Sequence, residues 1–305
     1  MTAVAGQTFH EGEQRMQAAA GVRDRLEEIG PRVIRDHMPQ QHRSFFEQLP
    51  FVVLGLVDAQ GQPWASLLAA EPGFMQSPDD MRLDIAASLP LQDPLQPLLL
   101  RGAEIGLLGI EPHTRRRNRL NGVVERADDT GFSVRVTQSF GNCPKYIQPR
   151  KAEFAVRGRR TAPTVEHADA LDAEAMRQIA SADTFFIATA HPEAVGTDGV
   201  PSHGVDVSHR GGPVGFVRMD DAYSLTVPDY PGNFFFNTLG NLLLNPRAGL
   251  VFVDTVRGDL LHVAVEVRIV QERAALAAIE GAQRLLQMRV TRMQRQRGVL
   301  PLRWR

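Results

Sequence analysis

The 305-residue sequence predicts an α+β fold, mostly β, in which two related strand-rich halves follow one another with flanking helices. Short apolar, β-branched runs bounded by Gly, Pro, Asn and Asp recur from residue 51 onward, the pattern of antiparallel strands and tight turns. Two stretches repeat one order of elements. Leu98-Leu-Leu-Arg-Gly-Ala-Glu-Ile-Gly-Leu-Leu-Gly-Ile-Glu111 and Leu242-Leu-Leu-Asn-Pro-Arg-Ala-Gly-Leu-Val-Phe-Val-Asp254 each read as a short helix, a turn and an apolar strand ending in an acid, with one residue inserted. Polar segments before residue 42 and near 170–180 have helical composition instead.

The first forty residues read as helix punctuated by Pro31 and Pro39. Phe51-Val-Val-Leu-Gly-Leu-Val-Asp58, the turn Ala59-Gln-Gly-Gln62 and Pro63-Trp-Ala-Ser-Leu-Leu-Ala69 form a hairpin. Further strands are expected at 81–85, 104–111, 118–126 and 132–137. Residues 150–167, charged and irregular, read as a linker, and a helix follows over 170–180 with Asp169 or Asp172 as its cap. The second block opens with Thr184-Phe-Phe-Ile-Ala-Thr-Ala190 and continues through 203–209, 214–218, 223–227, 248–254 and 260–270. A closing helix is expected over 272–288, ahead of a basic tail ending Leu302-Arg-Trp-Arg305. The hairpin at 51–69 matches 185–208, which extends the duplication upstream.

Hydrophobic residues at 43% and charged residues at 23% suit a chain with a sizeable core. A formal net charge of -1 speaks against a general nucleic-acid binder. Cys143 is the only cysteine, so neither an intrachain disulfide nor a cysteine-rich zinc site can form. No apolar run reaches the roughly 18 residues of a membrane span. Residues 1–10 lack the basic-then-apolar pattern of a secretory signal, so a cytoplasmic location is expected. The nine histidines show no HxH or HxxxH spacing, and no metal site is expected. His203 and His209, read as six apart on one strand face, would lie about 20 Å from each other.

The densest polar constellation lies in the second half. In Pro201-Ser-His-Gly-Val-Asp-Val-Ser-His-Arg210, strand alternation sends Ser202, Gly204, Asp206 and Ser208 one way and His203, Val205, Val207 and His209 the other. Pro228-Asp-Tyr-Pro-Gly-Asn-Phe-Phe-Phe-Asn-Thr-Leu-Gly-Asn-Leu-Leu-Leu-Asn-Pro246 places glycine and amide side chains at a loop-to-helix junction. Such a junction exposes backbone N–H groups to an anion such as phosphate. The same residues also read as a plain capped helix, with Asn233 or Asn237 satisfying orphan amides.

These stretches resemble the pyridoxamine-phosphate-oxidase-like FMN-binding split barrels. There a strand with a phosphate contact precedes an aromatic–Thr strand and a helix entering an Asn-Pro turn. Matching stretches here are 202–209, 225–227 and 236–246, with Asn245-Pro-Arg-Ala-Gly-Leu-Val-Phe252 the closest in wording. A bacterial branch with two such halves in tandem, sometimes fused to a ferredoxin-reductase-like module, is more similar still. Its phrases appear as Ser139-Phe-Gly-Asn-Cys-Pro-Lys-Tyr-Ile-Gln148, Asp206-Val-Ser-His-Arg-Gly-Gly212 and residues 232–246, so the resemblance covers most of 42–290.

The resemblance implies two tandem FMN-binding split β-barrels. It divides the chain into a helical segment 1–41, a first barrel 42–149, a linker and helix 150–182, a second, FMN-binding barrel 183–271, and a helix and tail 272–305. It implies FMN contacts from Ser202, His203, Gly204, Val205, Ser208, His209, Thr226, Asn233, Asn237 and Thr238, and it assigns no catalytic residue. The chain offers Asn237, Thr238, Gly204 and His209 where the oxidase has basic residues, so a neutral phosphate cradle is expected and vitamin B6 oxidation is in doubt.

The turn Asn142-Cys-Pro-Lys-Tyr146 sets a cation, an amide and a phenol at a strand end. Asn142, Lys145 and Tyr146 are therefore expected to close over a flavin held by the other half, Lys145 neutralising the N1–C2 carbonyl region or the phosphate. A structural corner with Tyr146 in the core is the other reading. Cys143 has no nucleophile's partner by spacing. Arg115-Arg-Arg117 reads as a solvated run, or as a contact for phosphate or nucleic acid. FMN-dependent redox chemistry on a small molecule is the leading function. A flavin carrier or electron relay, and a cofactor-less interaction module, are the alternatives. A separate reductase or diffusible donor and a homodimer are the expected partners.

Overall fold

The computed structural model describes residues 8–155, 164–196, 198–277 and 279–305. Three helices come first: α1 (Glu11–Ala19), α2 (Arg23–Val33) and α3 (Gln40–Glu47). In α1 the His10 side chain accepts from the Gly12 N–H while Glu13 reaches back to the His10 N–H, a reciprocal cap that fixes where the helix begins. Pro31 lies in the last turn of α2 and does not end it.

The first half continues with β1 (Phe51–Val57), β2 (Pro63–Ala69), β3 (Met75–Gln76), β4 (Arg82–Ile85), β5 (Glu104–Glu111), β6 (Arg116–Asp128) and β7 (Gly131–Gly141). These form one sheet in the order β2-β1-β5-β6-β7-β4-β3. After β8 (Ala152–Phe154), β9 (Val165–Ala168) and α4 (Ala173–Ser181), the second half holds β10 (Thr184–Ala190), β11 (Val205–Gly211), β12 (Arg218–Met219) and β13 (Ser224–Asp229). It goes on through α5 (Asn237–Leu244), β14 (Arg247–Val253), β15 (Leu260–Val270), α6 (Arg273–Leu276), β16 (Arg284–Gln296) and β17 (Leu302–Trp304). Its sheet runs β11-β10-β14-β15-β16-β13-β12, which is the first order repeated strand for strand. β9 adds to β16, and β8 pairs with β17.

Each half has its own apolar core: Phe46, Leu54, Leu107 and Phe132 belong to the first, Ile187, Leu250, Val263 and Leu286 to the second. A third cluster joins them, with Val53, Ala65 and Leu108 against Ala188, Val207 and Val251. The contact is reciprocal. A Cβ on Gly106 of β5 would lie 2.7 Å from the Val205 carbonyl oxygen of β11, and one on Gly249 of β14 would lie 2.4 Å from the Pro63 carbonyl oxygen of β2. Glycine at both points lets backbone meet backbone, and the two points occupy the same place in the two sheets.

Several expectations are corrected here. Helix α6 stops at Leu276, and Arg284–Gln296 is a strand in the heart of the second sheet, so that sheet extends beyond residue 271. Residues 286–291 alternate apolar and polar, and β13, β15 and β9 supply the partners of 284–296, which override its helical composition. Pro201–His203 is a 3-10 turn, so Ser202 and His203 lie off the strand that begins at Val205. Most of 214–218 is loop, and only Arg218 begins a strand there. The supposed linker contributes β8 and β9, while its residues 156–163 lie outside the described residues. Asp172 caps α4 by accepting from the Ala175 N–H. No helix among the described residues is long and apolar enough to cross a membrane.

Candidate functional site

A pocket opens where β6 and the turn after β7 of the first half face β11, α5 and the loop before α5 of the second. Strand alternation turns Arg117 and Arg119 to one side of β6, toward that loop and helix. Arg119 is buried and donates to Ser208 Oγ, to Asp206 Oδ1 and, at 3.0 Å, to Asn237 Oδ1. Thr238 closes the group by donating to Asp206 Oδ2 at 3.3 Å, its Oγ1 also lying 3.0 Å from the Ser208 hydroxyl, which can donate to it. Burial alone would push Arg119 toward losing its proton and Asp206 toward gaining one, and each is held back by the other's charge.

Arg117 donates from Nε to the Cys143 carbonyl at 2.9 Å and from Nη1 to His209 Nδ1 at 3.3 Å. Burial lowers its pKa to about 10, which still leaves it charged at neutral pH. Burial first, then Arg117, Arg210 and Arg150, hold His209 well below its ordinary range, so its ring is neutral. Arg210 and Arg284 share one carboxylate, Asp229, at 2.6 and 3.4 Å. Arg117, Arg119 and Arg210 line the pocket with Asp229 as the carboxylate among its lining, and counting Arg284 and Asp206 behind them four guanidinium groups meet two carboxylates, a surplus of positive charge.

Four polar groups buried here have no hydrogen-bond partner within the described residues: Asn142 Nδ2 and the Nε of Arg119, Arg210 and Arg284. All are donors, so an acceptor-rich anion matches what the pocket lacks. The backbone points the same way. Tyr146, Phe234 and Phe236 adopt φ of 65°, 63° and 63°, a left-handed conformation costly for bulky side chains, and all three line the pocket. Phe236 is the N-cap of α5 and supplies no side-chain cap. Tyr146 stacks on Tyr230 with ring centres 5.3 Å apart. His209 is also in the wall of a neighbouring cavity of about 400 Å³, with Phe51, Ile110, Phe186 and Trp304 among its lining.

Of the residues expected from sequence, Ser208, His209, Asn233, Asn237, Thr238, Asn142 and Tyr146 line this pocket. Asn233 donates to Asn142 Oδ1 at 3.3 Å, tying the two loops together. Lys145 is exposed and outside the lining, so the turn's cation does not face the pocket. Thr226 donates to Asp220 Oδ2 at 3.4 Å, and its strand neighbour is Gln287, away from the pocket. Ser202, His203, Gly204 and Val205 sit at the far end of β11; Val205 packs with Ala190 and Ala194, and Gly204 faces Glu104. Neutral surroundings were expected beside these residues, but Arg117, Arg119 and Arg210 line the same pocket. Sequence reasoning missed Arg119, Arg210 and Glu13, whose carboxyl accepts from Asn237 Nδ2. Strand alternation, which puts Arg117 and Arg119 on one face of β6, was the available signal.

A second cluster joins His10, Glu11 and His191, whose candidate ligand atoms lie within 4.8 Å of one another, with His203 stacked on His191 at 3.9 Å. Nδ1 of His10 accepts from the Gly12 N–H and Nδ1 of His191 from the Glu193 N–H. A neutral ring used that way carries its proton on Nε2, which leaves no lone pair there for a metal. The arrangement does not fit a metal ion.

No family model and no curated protein matches the chain. Among solved structures, it is similar to a pyridoxamine 5'-phosphate oxidase candidate from Lactobacillus delbrueckii at 13% identity and a TM-score of 0.33, covering 41% of this chain and 94% of that one. An FMN-binding protein from Syntrophomonas wolfei is similar at 13% identity and a TM-score of 0.27, over 38% of this chain and 78% of the other. HutZ, the heme storage protein from Vibrio cholerae, is similar at 13% identity and a TM-score of 0.26, over 39% of this chain and 87% of that protein.

Proposed function

We propose that the chain is a flavoprotein of two tandem split barrels that holds FMN at their junction, with its phosphate against Arg117, Arg119, Arg210, Ser208, Asn237 and Thr238. The observation that carries the reading is the set of unpartnered buried donors in a cation-rich pocket built by both halves. They fit a phosphate, and part of the sequence stretches that resemble FMN contacts meets there: Ser208, His209, Asn233, Asn237 and Thr238. Bound FMN would supply hydride or electron transfer to a small-molecule substrate, making the chain an oxidoreductase.

The chain's own residues have separable tasks. Arg119 and the N-terminal end of α5 hold the anion, Asn142 and Asn233 close the loop over it, and neutral His209 separates the pocket from the neighbouring cavity without adding charge. Tyr146 and Tyr230 offer an aromatic wall at the mouth.

An absorption spectrum of freshly purified protein, followed by titration with FMN and with FAD, tests this. A flavin spectrum and a preference for FMN are expected. Changing Asn237 and Thr238 together to Ala should weaken binding by about 1–3 kcal/mol. Colourless protein that takes up neither flavin, or a heme spectrum, would end the proposal.

A further inference from the structure

The repeated strand order raises a question about the second half's pocket: whether the first half has a copy. The ladders locate the equivalent residues. Leu54 pairs with Ser66 and Leu107, and Ile187 pairs with Ser208 and Leu250, so Ser66 matches Ser208. Leu108 pairs with Arg119, and its counterpart Val251 pairs with His262, so His262 matches Arg119. Asn142 donates its N–H to the Arg117 carbonyl, and Gln296 pairs with Leu260, so Gln296 stands where Asn142 does. Asp93 precedes Leu98 by the same five residues that separate Asn237 from the matching Leu242.

These four counterparts meet. Ser66 donates to Asp93 Oδ2, and the Leu95 N–H donates to Asp93 Oδ1 at 2.9 Å. His262 Nδ1 lies 2.9 Å from the Ala65 carbonyl, which can only accept, so the ring proton is on Nδ1 and Nε2 is an acceptor. The Gln296 amide then donates to His262 Nε2 at 3.0 Å and to Asp93 Oδ2 at 3.2 Å, and its oxygen accepts from the Asp93 N–H at 3.2 Å. Ser66, Asp93, His262 and Gln296 are all at most 1% exposed. The crossing between halves is also reproduced: Arg119 of the first half reaches Ser208 of the second, and His262 of the second reaches Ala65 of the first. What has gone is the cation set, since Leu260, His262 and Leu68 stand where Arg117, Arg119 and Arg210 do.

We infer that the chain has one anion site, not two: the mirror copy is filled from within by the carboxyl group of Asp93, which takes the hydrogen bonds an external oxyanion would take. With that side chain removed, the space and donors suit a small carboxylate such as formate. The inference goes beyond the flavin reading, which enters only in the choice of one probe.

Two measurements test it. Equilibrium dialysis of the unaltered protein with FMN is expected to give one site per chain, and two sites would overturn the inference. If FMN does not bind at all, the flavin reading fails and the second measurement decides. Asp93→Ala should lower Tm by roughly 5–10 °C, and formate should restore it saturably, where chloride at equal ionic strength does not. Formate should raise the Tm of the variant more than that of the unaltered protein, since the other anion site is common to both. If the variant folds only in formate, the outcome is the same. An unchanged Tm, or a loss of fold or stability that formate does not repair, would show that Asp93 fills no such site.

Discussion

Arg119 of β6 and Asn237 of α5, 118 residues apart in the chain, meet at 3.0 Å across the junction of the two halves. The same guanidinium holds Asp206, which among the described residues hydrogen-bonds no other cation. Arg119→Leu should therefore leave a buried carboxylate unpaired and cost about 3–5 kcal/mol. Adding Asp206→Asn should recover much of that loss. Urea midpoints of the single and double variants measure both effects, and a single variant as stable as the parent would mean that Asp206 is not charged in the fold.

Arg117 contrasts with its neighbour two residues away. Its partners are a carbonyl, a thiol sulfur and a neutral histidine, so removing it strands no opposite charge. Arg117→Leu should cost no more than about 1 kcal/mol of stability. FMN affinity should fall about 10–100-fold with the loss of a charge-assisted contact. Lys145→Met, by comparison, should change affinity by less than about twofold, because an exposed cation outside the pocket is screened by solvent. A larger effect at Lys145 than at Arg117 would move the anion to the outer face of the turn.

The fold was legible wherever strands carry their own pattern: 104–111, 184–190 and 260–270 were read to the residue. The matched segments ending at Glu111 and Asp254 occupy the same place in their sheets, next to β1 and β10. Residues 284–296 were not legible as strand, because Arg, Gln and Met are good helix formers and only the partners β13 and β15 decide. Of the pocket's lining, the sequence singled out Asn142 in its turn, Ser208 on β11, and Asn237 and Thr238 at the start of α5. Arg119 was hidden because its meaning depends on a buried carboxylate 87 residues away. Lys145 lies outside the lining, and a turn's sequence does not say which of its side chains faces inward.

Helix α1 should make stability depend on pH. Burial pushes the Glu13 carboxyl up from 4.5 to about 8, and pushes His10 down from 6.5 to about 3, His191 and His203 adding to the latter. Both are neutral near pH 7, so their 3.6 Å contact is not an ion pair there. Between pH 4.5 and 8 the folded state keeps a Glu13 proton that the unfolded state has lost. Its contribution is thus complete below 4.5, falls as pH rises, and is spent above about 8. His10 works oppositely: stability is lost as pH falls from 6.5 toward 3. The two slopes offset each other between 4.5 and 6.5, leaving Glu13 alone on the alkaline side. Glu13→Gln should flatten the decline between pH 6.5 and 8, a difference on the order of a few kcal/mol at most. Parallel curves for parent and variant in urea would place a charged Glu13 in the folded state.

The junction itself can be tested at its two closest points. At Gly106 and Gly249 the atom facing the missing Cβ is a backbone carbonyl oxygen, 2.7 and 2.4 Å from it, so no side chain can swing aside to make room. Alanine at either position must push one half away from the other, and should cost about 1–3 kcal/mol, more at Gly249 where the approach is tighter. The two sites load the same apolar cluster, so the first substitution opens space that the second would need. Together they should cost less than their sum by about 0.5 kcal/mol or more, whereas independent sheets would give additive losses. FMN affinity should fall with each, since Arg117 and Arg119 lie in one half and Ser208 and Asn237 in the other. Urea unfolding and FMN titration of the two single variants and the double variant measure this, and full additivity with unchanged affinity would show that the halves do not depend on each other at this contact.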